Sequence, residues 1–412
     1  MDVQPSQAHP GSYDLRDASG IATSVFTLSP ATLSVLVYMD GSHDRSTIQA
    51  HFYRRFGRML YTEQLDQLIR QLDEARFLEG PGFDTHMEQL VADYRNKSNR
   101  PVRDVQSLGA PIHRLGDYFD ELLVERNPNR KMDCDDLAQS TASPHNRVVG
   151  IVAPHLDYER GAPCYAAAYQ DLVQRTTATR FVILGTNHFG QSRSVVGTRM
   201  DFDTPFGIVP HDGAFMRRLD ERCGFDLCEN ELDHLAEHSI ELQVILLKHL
   251  LGDRKVAIAP YLCPDPCGPS GTAPVNGNGV DLMVFAEALR EEITADDRET
   301  CLIAGADLSH VGRYFMDDRD LNSEALAQVE ASDRLALSHI EGDDPEGFRQ
   351  VVADRDNDTH ICSVGCIYAL SRALDGQARP RLLHYHQAVT PEAQNCVTCA
   401  AMEFVKLEDQ AR

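Results

Sequence analysis

Apolar residues in the first 80 positions recur at the spacing of amphipathic helices. The groups are Leu33, Leu36 and Val37, then Ile48, Phe52 and Phe56, and finally Leu65, Leu68, Ile69 and Leu72. Residues three and four apart share one face of a helix, so the pattern predicts three short helices between Ser29 and Leu78. We therefore expect a small helical module over residues 1–95, and the polar stretch that ends at Pro101 predicts a domain boundary.

Beyond this boundary, short apolar runs alternate with segments of helical periodicity. The runs at 148–153, 181–185, 256–261 and 301–305 predict strands, with helices near 213–221, 237–251, 280–293, 323–340 and 363–374 and two closing strands around 382–387 and 397–405. Such alternation is typical of an α/β fold. For residues 96–412 we expect a central mixed β-sheet with helices on both faces.

Charge narrows the range of partners. The 412 residues include 39 Lys and Arg against 63 Asp and Glu, a formal charge of −24. This acidic excess repels phosphate backbones and anionic lipids, so neither nucleic acid nor a membrane is an expected partner. The polar amino terminus and the absence of an apolar run of about 20 residues indicate a cytoplasmic protein.

The cysteine pattern favours reduced thiols. There are 11 cysteines, an odd number in a chain that shows no secretion signal, so few or no structural disulfides are expected. Two pairs, Cys263 with Cys267 and Cys396 with Cys399, leave open a structural zinc site. The segment 263–280, which contains the first pair, is rich in Pro and Gly and has the composition of an inserted loop.

Titratable side chains follow several of the predicted strands. His155 and His188 each come shortly after an apolar run, and Asp307 and His310 follow the run at 301–305. A single histidine of this kind is more often a core or surface residue than a ligand. Ligands in open α/β sheets bind at the carboxyl ends of the strands, however, so the four together predict a site there.

A further histidine lies at the start of the helix predicted at 237–251. Glu237, His238 and Glu241 crowd its first turns. Acidic residues at a helix amino terminus are electrostatically ordinary, and a capped helix start remains one interpretation. The other is that a carboxylate orients His238 towards a metal or a substrate.

Six motifs stand in one order along the chain. They are IVAPHLDYERGAPCYAAAY, FVILGTNHFG, DTPFGIVPHD, EHSIELQVILL, IAGADLSHVGRY and HICSVGCIYAL, and PVRDVQSLGAP precedes them. Together they resemble the Memo family, of the AmmeMemoRadiSam system protein B type, over about residues 101–405. That family is similar to the catalytic subunits of class III extradiol dioxygenases, which hold a non-haem iron at strand ends.

The resemblance implies a metal site formed by His155, His188 and Cys362. The cysteine stands where the dioxygenases have a carboxylate. A thiolate with two imidazoles favours Fe, Cu(I) or Zn over Mg or Ca, and the resemblance to the dioxygenases makes Fe(II) the expected cofactor. Within the same resemblance, His310 corresponds to the general base, and Asp307, His238 and Glu241 are the other candidate catalytic residues.

This sequence departs from the family motifs at several positions beside these residues. Asp157 replaces a small residue in the first motif, and Phe189 replaces a second histidine. In the cysteine motif, Ser363 stands for glycine and Cys366 for proline. The candidate ligands are retained, whereas the geometry of the turn after Cys362 is put in question.

The amino-terminal module resembles PqqD-like peptide-binding and winged-helix domains. Residues 1–88 contain 7 Arg and no Lys against 12 acidic residues, which argues against DNA binding and leaves peptide binding or simple packing.

Three functions of the whole chain follow as alternatives. The first is a metal-dependent, dioxygenase-like oxidoreductase; the second is a non-catalytic peptide- or metal-binding partner of a radical-SAM protein and an AMMECR-type protein. The third is hydrolysis with Cys362 as nucleophile, for which no oxyanion-hole motif is present.

Overall fold

The computed structural model describes residues 2–128, 146–317 and 320–407. The chain divides into two compact units, Met1–Lys97 and Ser98–Arg412. The division falls two residues after the predicted end of the first module.

The amino-terminal unit combines a small sheet with four helices. Strands β1 (Asp2–Pro5), β2 (Tyr13–Arg16) and β3 (Phe26–Leu28) form an antiparallel sheet in that order, and helices α1 (Pro30–Leu36), α2 (Arg45–Phe56), α3 (Thr62–Glu74) and α4 (Pro81–Arg95) follow. The three predicted helices are present as α1, α2 and α3. The three-stranded sheet that precedes them was not predicted.

The elements missed in this unit carry little apolar pattern. Strands β1 to β3 are only three or four residues long and mostly partly exposed, so no alternation of apolar and polar residues marks them. The segment interpreted as a polar linker contains α4, in which only Tyr94 is buried. Pro81 at its first turn is a helix-start signal that the polar composition concealed.

The larger unit is built on an eight-stranded mixed sheet. Its strands are β5 (Val148–Ala153), β6 (Arg180–Thr186), β7 (Val196–Gly197), β9 (Ala257–Cys263), β10 (Thr300–Gly305), β11 (Asp307–Val311), β12 (Ala378–Thr390) and β13 (Asn395–Lys406). They are ordered β11-β13-β5-β10-β6-β9-β7, with β12 paired to β13. The central strands β5, β10, β6 and β9 are mutually parallel, and the outer strands run antiparallel to their neighbours. A separate two-stranded ladder joins β4 (Asn99–Arg100) to β8 (Asp201–Phe202).

Helices cover both faces of this sheet, as predicted. They are α5 (Leu115–Glu125), α6 (Tyr158–Arg175), α7 (Gly213–Cys223), α8 (Glu241–Leu251), α9 (Leu282–Ala295), α10 (Ser323–Glu341), α11 (Pro345–Ala353) and α12 (Val364–Leu374). Alternate residues of a strand face opposite sides: Val182 packs with α7, α9 and α12, whereas Ile183 packs with α5, α6 and α8. The α/β fold class is therefore confirmed.

Several elements of the larger unit were not predicted. Helix α6 is buried on almost every side and has Pro163 in its second turn, so neither a polar face nor an uninterrupted helical pattern identifies it. Helices α5 and α11 were also missed, and the residues Asp307–Val311 form a strand of their own. Among the described residues, no helix combines the length and the apolarity needed to cross a membrane.

Candidate metal centre

Three predicted site residues lie at equivalent positions in the sheet. His155, His188 and Asp307 each come two residues after the end of a parallel strand, β5, β6 and β10 respectively. Strand β10 lies between β5 and β6, so Asp307 emerges between the two histidines. Because parallel strands end at a common edge, these side chains converge there.

A close approach between two stretches of backbone brings two more side chains to the same edge. A Cβ atom on Gly185 or Gly305 would overlap Ser239, at the ends of β6 and β10. The two glycines therefore let the segment before α8 pack directly on the strand ends. That segment carries Glu237 and His238.

His155 is held rigidly at the bottom of the cluster. It is 3% exposed, and its Nδ1 donates a hydrogen bond of 2.9 Å to the carbonyl of Gly305. This bond leaves Nε2 as the basic atom, 3.5 Å from Cys362 Sγ and 3.5 Å from Asp307 Oδ2. Burial lowers the pKa of His155, but the negative charges of Asp307 and Cys362 outweigh it and raise the pKa to about 9.

His188 is oriented by the buried carboxylate of Glu237. Its Nδ1 lies 3.0 Å from Glu237 Oε1, and its backbone N–H donates to Oε2 at 2.8 Å. Burial opposes the charged ring, yet the adjacent Glu237 and the bond to Cys362 raise the pKa of His188 well above its usual value. The Nδ1 bond directs Nε2 away from Glu237, the arrangement of a histidine prepared to bind a metal.

His238 completes the cluster of imidazoles. Its ring stacks on that of His188, with centroids 5.3 Å apart and planes 11° from parallel, and lies 5.6 Å from the His155 ring. One candidate ligand atom from each of the three histidines lies within 4.8 Å of the other two. Burial and the two neighbouring histidines lower the pKa of His238, although Glu237 opposes this shift.

Cys362 lies at the edge of the cluster, immediately before the amino terminus of α12. Burial alone would raise the pKa of its thiol, but His155 and His310, with hydrogen bonds from His155 and His188, lower it well below its usual value. The positive end of the α12 dipole favours the thiolate further. The hydroxyl of Ser363 lies 3.2 Å from the sulfur and 2.9 Å from Thr186 Oγ1.

The remaining predicted residues have different placements. Asp307 accepts the backbone N–H of His155 at 3.1 Å and thereby positions that residue. His310 donates from Nδ1 to the carbonyl of Leu308 at 3.0 Å and is close enough to stabilise the Cys362 thiolate. Glu241 does not join the cluster, because its buried carboxylate pairs with Arg100 and accepts the backbone N–H groups of 103 and 104.

Two contributors were missed as site residues. Glu237 was recognised only as a neighbour of His238, whereas it binds His188 across the sheet edge. Ser363 was noted only as a departure from the family motif. The signals were present in each case: a carboxylate beside a histidine, and a hydroxyl beside the candidate cysteine.

The alternative zinc site does not form. Within residues 2–128, 146–317 and 320–407, the histidine cluster is the only convergence of three or more potential ligands, and the ten cysteines found there are free. Cys396 and Cys399 are three residues apart on β13 and therefore face opposite sides of the sheet. They pack into different apolar clusters.

Comparison with known proteins identifies the family. The model of the family described as Memo-like protein matches residues 128–403, two thirds of the chain. A MEMO1 family protein of Aquifex aeolicus is 27% identical over 319 residues, covering 77% of this chain and 76% of that protein. A MEMO1 family protein of Methanopyrus kandleri, MK0963, is 31% identical over 262 residues, covering 62% of this chain and 82% of that protein.

One solved structure, the crystal structure of the uncharacterized protein JW3007 from Escherichia coli K12, is 12% identical to this chain. The alignment covers 62% of this chain and 99% of that protein, and its TM-score of 0.35 is too low to bear on the fold. The strand-end histidines, the cysteine before α12 and the match over residues 128–403 agree, and the chain belongs to the Memo family.

Proposed function

We propose that the cluster at the sheet edge holds a single redox-active transition metal, with His155, His188 and Cys362 as ligands and His238 beside them. The observation that carries this proposal is the convergence of three imidazole nitrogens within 4.8 Å of one another, with a thiolate sulfur 3.5 Å from one of them. A tetrahedral ion with bonds of about 2.0–2.1 Å keeps its nitrogen ligands about 3.4 Å apart, so small movements of the rings suffice.

The hydrogen bonds of the histidines support a metal site over a simple polar core. The Nδ1 atoms of His155 and His188 donate to a carbonyl and a carboxylate respectively, which fixes both rings and leaves each Nε2 available. Without a metal, the site gathers three imidazoles around a partly buried thiol, an arrangement that the packing of a core does not require. Imidazole and thiolate ligands suit Fe(II), Zn and Cu(I), and we propose Fe(II).

The chemistry that we propose is oxidation of a small chelating substrate, as in the dioxygenases that the family resembles. A bound iron would supply Lewis-acid polarisation and redox chemistry. His310 is the candidate general base, since its Nδ1 bond to Leu308 leaves Nε2 basic. Asp307 acts as a positioning residue through the backbone of His155.

Metal binding is tested by anaerobic titration of the full chain with Fe(II), together with elemental analysis of protein purified without chelators. We expect one ion per chain in the wild type and a large loss in His155→Ala and Cys362→Ser. Matched controls are His113→Ala, at an exposed histidine, and Cys223→Ser, at a partly buried cysteine on α7. Equal and negligible uptake by all five proteins would overturn the metal assignment. If the purified protein contains one equivalent of zinc or copper, that metal replaces iron in the proposal.

Oxygen consumption tests the reaction separately. With catechol as substrate, iron-loaded wild type should consume oxygen and His310→Gln should consume it far more slowly at unchanged iron content. An iron-loaded protein that consumes no oxygen with any catechol tested would support the non-catalytic alternative.

A second function, peptide binding by the amino-terminal unit, is favoured by a groove beside β3. Strand β3 pairs only with β2 among the described residues, so its outer edge is open. A groove of about 630 Å³ follows this edge and is bounded by α1 and by Gln64, Gln67 and Gln71 of α3. An extended peptide can add as a strand to such an edge while its side chains contact the helix.

The partners that we propose for this groove are an AMMECR-type protein and a radical-SAM protein. Co-expression with each partner and affinity purification of the full chain would detect a complex. Gln71→Arg, which lines the groove, should weaken it, and Gln89→Arg, an exposed change on α4 in the same unit, should not. A complex that tolerates both changes equally would exclude the groove as the contact.

A further inference from the structure

A cleft of about 310 Å³ opens beside the metal centre. His188 and Cys362 form part of its wall, so a molecule in the cleft lies against two of the proposed ligands. The volume is at the lower end of the range of small-molecule sites, roughly 300 to 1,000 Å³. The inserted loop at 263–280 supplies a second wall through Pro264, Ser270 and Val275.

Among the residues that the structure describes, Arg193 is the only lysine or arginine that lines this cleft. It is exposed and, within the part of the chain that the structure describes, neither donates a hydrogen bond nor forms an ion pair. Most other arginines around the sheet are paired with carboxylates; Arg180, for example, binds Asp212 and Asp296. Arg193 acts on the Asp233 carboxylate through space, but that carboxylate is already bound by three other donors. In a chain of net charge −24, the guanidinium of Arg193 is therefore available for an anionic ligand.

The loop that presents Arg193 is fixed before any ligand binds. Asp233 accepts the backbone N–H groups of Gln191 and Ser192 at 3.0 Å each and the side-chain amide of Asn187 at 2.8 Å. Gly190 packs against the same two polar side chains so closely that a Cβ atom would overlap both. Arg193 therefore follows directly on a rigid turn, which reduces the entropy lost on binding.

The opposite wall is also preorganised. Asp356, Asn357 and His360 have positive φ angles of 53°, 48° and 56°, a conformation that non-glycine residues adopt at a cost. The side chain of Asn357 holds this turn by accepting from the N–H of Ile361 at 2.8 Å and donating to its carbonyl at 2.9 Å. The turn leads directly to Cys362, so it fixes the cleft wall and the proposed ligand together.

We propose that this cleft binds a small organic carboxylate, with the anionic group paired to Arg193 and the other end at His188 and Cys362. One guanidinium matches a single negative charge and forms two parallel hydrogen bonds with a planar carboxylate. Asp265 also lines the cleft, so a doubly charged phosphate would meet one cation and one anion. This inference rests on the proposed function only for the end that reaches the metal.

A matched pair of ligands isolates the carboxylate. Catechol and 3,4-dihydroxybenzoate share the chelating end and differ in the carboxylate, and both are titrated anaerobically into iron-loaded full chain. We expect wild type to bind 3,4-dihydroxybenzoate roughly five- to tenfold more tightly than catechol, the range of a partly exposed charge-assisted hydrogen bond. Arg193→Gln should remove this preference while leaving catechol affinity unchanged.

The controls separate the possible failures. Arg217→Gln, at an exposed arginine on α7 outside the cleft, should keep the preference. Wild type without a preference, Arg193→Gln with an unchanged preference, or inorganic phosphate competing as well as 3,4-dihydroxybenzoate would each overturn the proposal. Metal content is measured in every sample, so a carboxylate preference in protein that takes up no metal would contradict the proposed function alone.

Discussion

Replacing Glu237 with glutamine tests the proposed metal centre without replacing any proposed ligand. The carboxylate is 1% exposed and accepts four hydrogen bonds, from His188 Nδ1 and from the backbone N–H groups of His188, His238 and Ser239, at 2.8–3.0 Å. Burial opposes its ionisation, but the charge of His188 and these donors hold the pKa of Glu237 well below its usual range. The side chain is therefore an anion in the folded protein.

Glutamine keeps the shape of this side chain but changes its bonding. Its one carbonyl oxygen can serve the donors on one side, while its NH2 group faces donors on the other side. A buried donor left without a partner costs about 1–3 kcal/mol, so we expect Glu237→Gln to lower the free energy of unfolding by about 2–4 kcal/mol. The loss of the partner that orients His188 should weaken metal binding roughly 10- to 100-fold.

Two measurements check this prediction. Competition with a chromophoric chelator gives the metal affinity, and urea unfolding of the metal-free protein gives the stability. Glu291→Gln is the matched control, because Glu291 on α9 is 66% exposed and, among the described residues, pairs only with Arg222 of α7. Metal affinity within twofold of wild type in Glu237→Gln would refute the role of Glu237 as the group that orients His188.

Three further outcomes follow from single contacts. Iodoacetamide should alkylate Cys362 in metal-free protein, because its thiol is held as a thiolate, and bound metal should protect it; mass spectrometry of the labelled peptide checks both. Gly305→Ala should lower the free energy of unfolding by about 1–3 kcal/mol in urea, since its methyl group overlaps the backbone of Ser239. Burial lowers the pKa of His234 to about 3. Below about pH 6.5 the unfolded chain therefore binds a proton that the folded chain excludes, and the free energy of unfolding decreases as the pH is lowered. From pH 7 to pH 5 the stability of His234→Gln relative to wild type should therefore rise by about 2 kcal/mol, which urea unfolding of both proteins at each pH measures.

The sequence predicted the convergence of the site because that part of the fold follows from local rules. His155, His188 and Asp307 each stand two residues after an apolar strand, and parallel strands end at one edge of a sheet. Apolar periodicity located both ends of each of these three strands to within one residue. Neither the order of the strands nor the position of β10 between β5 and β6 can be obtained from that periodicity, since strand order depends on tertiary packing.

The roles of the two glutamates were beyond sequence reasoning for a specific physical reason. Glu237 and Glu241 are four residues apart, so in a continuous helix they would lie on one face. The helix instead begins at Glu241, because the Glu237 carboxylate binds the backbone N–H groups of His238 and Ser239 and holds the preceding turn in another conformation. The two carboxylates then point to different partners, His188 and Arg100.

Because Glu237 and Glu241 have different partners, Arg100, which precedes the large sheet in the chain, also contributes to the site. Arg100 is 2% exposed, pairs with Glu241 and donates to the backbone carbonyls of His234 and Glu237. The His234 carbonyl lies at the end of a 3-10 helix, Glu231–His234, and the Glu237 carbonyl lies in the turn before α8. A buried carbonyl without a partner is costly. Arg100 therefore stabilises the unwound conformation that lets Glu237 reach His188. A buried arginine more than 130 positions from these partners thus supports the proposed metal centre through the backbone.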